Sequence, residues 1–308
     1  MPDLKEHILI CICGPTAVGK TALSLALARY FDTEIISSDS RQVFRGMDIG
    51  TAKPGPAERG SIPHHLIDIL DPDQTYNAGQ FVRDAEVLLH QIFTRKKVCI
   101  MVGGSTLYTD AFWYGLNEMP EVAPELRATL KREWEVLGPE PLLMELQEAD
   151  PETFARIDRQ NPSRVLRALE LIRTSGRPAS ELRTGRKAIE RSYRIVKIAL
   201  HDHRENLYAR INHRVDEMMD AGLAGEVRSL LAKGYSPDSQ ALQTIGYAEM
   251  ILCLKGEMSI DEAITAIRQH SRNYAKRQLT WLRRYQDMVW IQAGAVEQMA
   301  AAVLKEIP

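Results

Sequence analysis

Eight residues near the N-terminus, Gly14-Pro15-Thr16-Ala17-Val18-Gly19-Lys20-Thr21, have the types and spacing that hold a phosphate. Glycines let a backbone curl until its N–H groups converge on anionic oxygens, and a helix starting near Lys20 would aim its positive end at the same point. The lysine adds a mobile cation, and the Thr21 hydroxyl is a candidate Mg²⁺ ligand. The apolar run Ile8–Cys13 (ILICIC) precedes the motif, and TALSLALARY (Thr21–Tyr30) follows with helical periodicity. A strand–loop–helix context of this kind makes Gly14, Pro15, Thr16, Ala17, Val18, Gly19, Lys20 and Thr21 a phosphate or diphosphate cradle rather than a Gly-rich turn without a ligand.

The motif alone does not say which phosphate. Nucleoside triphosphatases usually add an acid at the end of a second apolar strand. Here the run VCIMV (Val98–Val102) ends in Gly103-Gly104-Ser105, without an acid. An acid follows a different run instead, as Asp39 in SSDSRQ (Ser37–Gln42). Ligands of open α/β sheets sit at the carboxyl ends of the strands, which would turn Asp39 toward the phosphate loop. Three readings stay open for it: a helix cap or turn former, a Mg²⁺ ligand, and a general base.

The elements that must position these residues alternate. Strands are expected at Ile8–Cys13, Glu34–Ser37, His65–Leu70 and Val98–Val102, with helices at Thr21–Tyr30 and Asn77–Arg95 and a Gly/Pro-rich loop over Gly46–Pro56. Such alternation argues an α/β, doubly wound parallel sheet of P-loop type. From Pro124 to about Thr184 the chain reads as helices only, broken at Gly138-Pro139, Asp150-Pro151, Asn161-Pro162 and Gly176. Tyr193–Leu200 (YRIVKIAL) returns to strand character, and the remainder reads as helical with a hinge at Gly222–Gly225. The expected organisation is therefore a first part of the core over 1–115, a helical insertion over 116–190, and a return to the core with C-terminal helices over 191–308.

The chain has 308 residues and a formal net charge of −2, so a polyanion would have to be met by local basic patches. Cys11, Cys13, Cys99 and Cys253 lack zinc-ligand spacing and read as reduced thiols of a cytoplasmic protein. No apolar run reaches the ~20 residues of a membrane span, and MPDLKEH lacks the regions of a signal peptide. His64-His65 invites a metal reading, but neighbouring side chains on a strand point to opposite faces, and a structural role is expected. Nothing resembles a dimer seam, so a monomer is the default.

The run SSDSRQVFRGMDIGTAKP (Ser37–Pro54), taken with GPTAVGKT, resembles the bacterial tRNA dimethylallyltransferases. VGGSTLY (Val102–Tyr108), PSRVLRALE (Pro162–Glu170), TIGYAEM (Thr244–Met250) and YAKRQLTWLRR (Tyr274–Arg284) extend the resemblance nearly end to end, in order. It implies transfer of the dimethylallyl group of dimethylallyl diphosphate to the N6 amine of the adenine at tRNA position 37, releasing diphosphate. Lys20, Thr21 with Mg²⁺, and the loop amides would then stabilise the leaving group, and Thr16 would help hold it. Asp39 would be the general base. Arg214 is a candidate second cation, against the plainer reading of a surface arginine paired to Asp216 or Glu217.

On the RNA side the resemblance suggests contacts from Asp39, Ser40, Arg41 and Gln42, and from Ser105, which as a plain helix cap would look the same. It extends to Arg127, Ser163, Arg164 and Arg167 on the insertion, a clamp on the anticodon stem-loop, some of whose arginines would pair with Glu170 or Asp158. Gln243, Thr244, Ile245, Gly246, Tyr247 and Ala248 would form a further contacting turn. Between Arg268 and Arg284 lie six cations and no acid, interleaved with Tyr274 and Trp281. Lys276, Arg277, Gln278, Trp281 and Arg283 are the expected contacts there. A solvated face with Trp281 in the core is the bland alternative. Two other functions remain: a small-molecule enzyme (an adenylate isopentenyltransferase or a nucleotide kinase), which would need neither the insertion nor the basic helix, and a non-catalytic nucleotide switch.

Overall fold

The run ILICIC forms β1 (Ile8–Cys13), and it is apolar throughout because the sheet buries it on both faces. A computed structural model of the chain describes residues 6–117, 119–182 and 189–307. Thr184, where the helical stretch was expected to end, and the first five residues lie outside these. Two compact units result: Met1–Phe112 with Glu190–Pro308, and Trp113–Ile189.

In the larger unit the chain runs β1, α1 (Lys20–Tyr30), β2 (Ile35–Ser37), α2 (Pro56–Arg59), β3 (His64–His65), α3 (Ala78–Phe93), β4 (Val98–Val102) and α4 (Thr106–Tyr114), whose last two residues are counted with the smaller unit. The smaller unit holds α5 (Pro124–Leu137), α6 (Pro139–Ala149), α7 (Pro151–Arg156), α8 (Pro162–Ser175) and α9 (Ala179–Leu182). The chain then returns through β5 (Arg194–His201), α10 (Arg204–Asp220), α11 (Leu223–Ala232), α12 (Tyr247–Leu254), α13 (Ile260–Leu282), β6 (Val289–Gln292) and α14 (Val296–Leu304).

The six strands are parallel, in the order β3-β2-β4-β1-β5-β6. β1 is central, with Ile10 opposite Ile100 on β4 and Val196 on β5. Ile10, Ile12, Ile35, Ile100 and Ile198 meet Leu23 and Leu27 of α1 in one core. The carboxyl ends of β1, β2 and β4 therefore lie side by side. They carry the phosphate loop, the Asp39 stretch and Gly103-Gly104 respectively.

Two strand expectations need correction. β3 is only His64–His65, because Leu66 and Asp68 take left-handed φ values of 62° and 56° and leave the sheet. A charge holds them there: the buried Lys53 ammonium binds Asp68 (2.5 Å), Asp48 (2.7 Å) and the Phe44 carbonyl (2.8 Å). The tail is also not all helical. Val289–Gln292 forms β6 at the sheet edge, where Ile198 pairs with Val289. A four-residue run is too short to show a period, so only the open edge of β5 selects it.

In the smaller unit, prolines open α5, α6, α7 and α8, at the position where a missing N–H costs nothing. Gly176, at φ 67°, ends α8. Leu130, Leu142, Leu146, Val165 and Leu169 form a separate core. Buried Asp150 caps α7 through the Thr153 N–H (2.9 Å) and takes the Ser180 N–H and hydroxyl (both 2.8 Å). Burial pushes its carboxyl up, but the hydrogen bonds from Thr153 and Ser180 outweigh this and leave it below the ordinary range.

Lys53→Met should lower the unfolding free energy by ~1–3 kcal/mol, less than for a fully buried pair because Asp48 and Asp68 keep contact with water. A urea melt would show this as a lower midpoint at unchanged slope. An unchanged midpoint would mean that the ammonium is not what holds the 66–70 segment.

Candidate active site

The phosphate loop closes around a recess of about 100 Å³ at the start of α1. Ala17 is held at φ 62° and Gly19 at φ 101°, and no side chain caps the helix. Its first amides are left for an anion. Lys20 folds back, donating to the carbonyls of Gly14 (3.0 Å) and Pro15 (2.7 Å). Burial, and then the nearby Arg214 charge, push the Lys20 ammonium down to about 8 against the opposing pull of Asp39 and Cys13. Thr16, Lys20 and Thr21 line this recess together with Asp39, Gln42, Arg214 and Gln278.

Arg214 is not a surface arginine. It shares a face of α10 with the buried Ile211 and Val215, which turns it inward. Its guanidinium reaches the Thr51 carbonyl at 3.5 Å, and its Nε has no protein partner. Burial lowers its pKa, opposed first by Asp39. The pairing once expected for it goes elsewhere, since Asp216 binds Arg268 and Glu217 lies 3.3 Å from His213.

Asp39 is a turn former as well as a site residue. Its Oδ1 accepts the N–H groups of Arg41 (2.8 Å) and Gln42 (3.3 Å). Ser105, at the end of β4, spends its hydroxyl on this loop rather than on capping α4. It accepts the Ser40 N–H at 2.8 Å and bonds the Ser40 hydroxyl at 2.9 Å. Arg41 donates to the Gln240 carbonyl (2.6 Å), and burial lowers its pKa against the pull of Asp39. Gln42 donates to the carbonyls of Thr51 (3.3 Å) and Ala52 (3.4 Å).

A second recess, of about 280 Å³, adjoins the first. Thr16, Asp39, Thr51, Arg214 and Tyr274 line both. Beyond them one stretch of its wall is apolar (Ile211, Val215, Met218, Ile245 and Ile267), and Ser40, Arg41, Gln243, Thr244 and Ser271 make a polar stretch. Gly50 and Thr51 complete it, pinned by a residue for which the sequence offered no signal. The Glu226 carboxylate accepts the backbone N–H groups of Asp48, Ile49 and Gly50 at 2.9, 2.9 and 3.3 Å, and the Tyr247 hydroxyl at 2.5 Å. Tyr274 had been visible as an aromatic among cations, but its place in the site had not.

A family profile described as IPP transferase matches residues 42–285. The chain belongs to that family. Relatives described as tRNA dimethylallyltransferases include one from Syntrophobacter fumaroxidans, 44% identical over 97% of this chain and 88% of its own length. Another, from Cytophaga hutchinsonii, is 42% identical over 98% of both. Among solved structures, a tRNA isopentenylpyrophosphate transferase from Bacillus halodurans superposes with a TM-score of 0.71 at 37% identity, covering 98% of this chain and 97% of that one. A eukaryotic dimethylallyltransferase acting on tRNA superposes at 0.79 with 26% identity, covering 97% of this chain and 77% of its own.

In this IPP transferase the residues expected to meet RNA separate into groups. Asp39, Ser40, Arg41, Gln243, Thr244 and Ile245 line the second recess. Ala248 is partly exposed beside them. Tyr247 and Gly246 are buried and offer no surface to a ligand: Tyr247 fills the space beneath Gly50 and bonds Glu226. Gln278 is likewise buried, with its amide spent on Thr16 and Gly104. Lys276, Arg277 and Arg283 are exposed on and just after α13, with Arg277 over the Tyr274 ring. Trp281 is half-buried, and its Nε1 donates to the Tyr285 hydroxyl at 2.9 Å. Arg268 and Arg272 are held by Asp216 and Asn212.

In the helical unit, buried Glu170 takes both Arg127 (3.0 Å) and Arg167 (2.7 Å), while Ser163 and Arg164 stand exposed at the start of α8. His65 bonds Glu34 at 2.7 Å and His64 the Ile62 carbonyl at 2.8 Å. Among the described residues no group of three or more His, Cys, Asp or Glu could hold a metal.

Because Lys20 is neutralised above about 8, the affinity for inorganic diphosphate should fall as pH rises through that value, relative to a Lys20→Met variant. The unliganded protein should gain a stabilising contribution from about 8 upward toward the unfolded value of 10.5, where the unfolded chain alone keeps this proton. Calorimetric titration from pH 7 to 9.5 checks the first. A parallel pH dependence in the variant would exclude Lys20 as its source.

Proposed function

We propose that this chain transfers the dimethylallyl group of dimethylallyl diphosphate to N6 of the adenosine at tRNA position 37. The observation that carries the reading is the joining of the two recesses. One is lined by the phosphate loop and the other is apolar along Ile211, Val215, Met218, Ile245 and Ile267, and Asp39, Arg214, Thr51, Tyr274 and Thr16 lie where they meet. The diphosphate lies against the loop amides, Lys20 and Arg214. The five-carbon chain enters the apolar side.

The C1–O bond breaks with allylic-cation character, and its electron pair leaves with the diphosphate, where Lys20 and Arg214 meet the developing charge. The N6 lone pair forms the new bond to C1. The proton N6 then sheds passes to Asp39, whose second carboxylate oxygen serves while Oδ1 holds the Arg41–Gln42 turn. The adenine reaches this point by leaving its stack in the anticodon loop, and the exposed cations of α13 and the start of α8 receive phosphates of the stem.

The Thr21 hydroxyl in the diphosphate recess suits Mg²⁺, which binds through one or two protein ligands with substrate phosphates completing the shell. When bound, the ion would supply further charge neutralisation on the leaving group. No helix among the described residues is long and apolar enough to cross a membrane, in keeping with a reaction on cytoplasmic tRNA.

Purified protein with Mg²⁺, radiolabelled dimethylallyl diphosphate and tRNA lacking the modification should place label in N6-dimethylallyladenosine, while AMP in a parallel tube stays unlabelled. Label in AMP alone would move the chain to the small-molecule class. Asp39→Asn should lower kcat by about 10²–10⁴-fold with tRNA and diphosphate binding retained. Loss of Mg²⁺-dependent diphosphate binding instead would make Asp39 a metal ligand. Replacing Lys276, Arg277 and Arg283 by Glu should weaken tRNA binding and flatten its dependence on salt, with inorganic diphosphate binding as the control.

A further inference from the structure

Gln278 reaches from α13 into the phosphate loop. Its Oε1 accepts the Thr16 N–H at 3.0 Å, and its Nε2 donates to the Gly104 carbonyl at 2.8 Å. The residue is 2% exposed, and Tyr274, one turn earlier, donates to the same carbonyl at 3.1 Å. The amide therefore bridges the start of the phosphate loop to the end of β4. In nucleoside triphosphatases, that strand end faces the outer phosphates, and an acid there completes the Mg²⁺ site bridging the second and third. In this chain the strand end has no acid, and a glutamine from another helix fills the space.

We propose that Gln278 is a specificity-determining residue that limits this P-loop to two phosphates, closing the position a third would occupy. Three observations meet in it. The loop N–H nearest the strand end is already satisfied, so it is not offered to an anion. The space over Gly104 is taken: a Cβ added there would lie 2.6 Å from the Gln278 Nε2, with the Lys20 Nζ 3.9 Å away. The recess that remains is about 100 Å³, small against the ~300 Å³ at which ordinary ligand pockets begin. Charge alone would work the other way. Lys20 and Arg214 attract a more negative chain more strongly, so a preference for the shorter chain must come from shape.

This inference deepens the proposed function and takes its diphosphate from it, but its test needs no prenyl transfer. Binding of inorganic diphosphate and inorganic tripolyphosphate to the full chain is measured by calorimetry at fixed free Mg²⁺. The wild type should bind diphosphate at least tenfold more tightly. Gln278→Ala should shift the ratio of the two affinities tenfold or more toward tripolyphosphate. Gln278→Met, which keeps the bulk and loses the amide, should leave the ratio near the wild-type value.

Equal affinity of the wild type for the two anions would overturn the proposal without any variant. So would an unchanged ratio in a folded Gln278→Ala, or Met behaving like Ala. Failure of the transfer assay alongside the expected ratios would count against the acceptor reading only.

Discussion

Lys20, Arg214 and Arg41 surround one carboxylate, Asp39, and all four are half-buried. Like charges so placed repel, and burial removes the solvent that would screen them. Burial lowers the pKa values of all three cations, the Arg214 charge adds to this at Lys20, and Asp39 opposes it in each. In the proposed reaction the diphosphate brings negative charge to Lys20 and Arg214. Such electrostatic preorganisation would serve the leaving group of that proposed reaction, because the dipoles and charges are in place before the bond breaks.

Rigid supports on several sides hold the conflict in place. Glu226 gathers the amides of 48–50 and fixes Thr51, whose carbonyl meets Arg214 and Gln42. Lys53 ties that loop to the 66–70 segment. Ser105 locks Ser40, and Gln278 locks Thr16. Each support is a polar or charged side chain bonded to backbone, so the loops keep their shape without belonging to the sheet. α13 is central to this, since its inner face braces the phosphate loop while Lys276 and Arg277 remain outside.

Much of this was legible in the sequence. The phosphate loop could be read because its chemistry depends on local backbone geometry, and local geometry is written in adjacent residues. Helix boundaries in the smaller unit were equally plain, since proline at the first helical position and glycine at the end act over one turn. Asp39 was visible as an acid after a strand, and the resemblance gave it a role. The third strand was misjudged because HLIDIL has the composition of a strand while a distant ammonium pulls Asp68 out of it. β6 went unread because a sheet edge, rather than the four residues themselves, makes it a strand.

The sequence by itself determined the alternation of strand and helix, the phosphate-binding loop and the family. Each depends on short-range patterns of apolarity, glycine and proline. Only the tertiary structure decided which side chains serve the site and which serve the scaffold. Arg214 turned inward and Arg268 went to Asp216, though both lie on helices that read alike. Gln278 and Tyr247, expected on the RNA side, are buried supports. Glu226 carried no signal, because an acid's value here comes from three amides some 180 residues away in the chain. Contacts of that span exist only once the sheet has brought its strand ends together, and no local pattern encodes them.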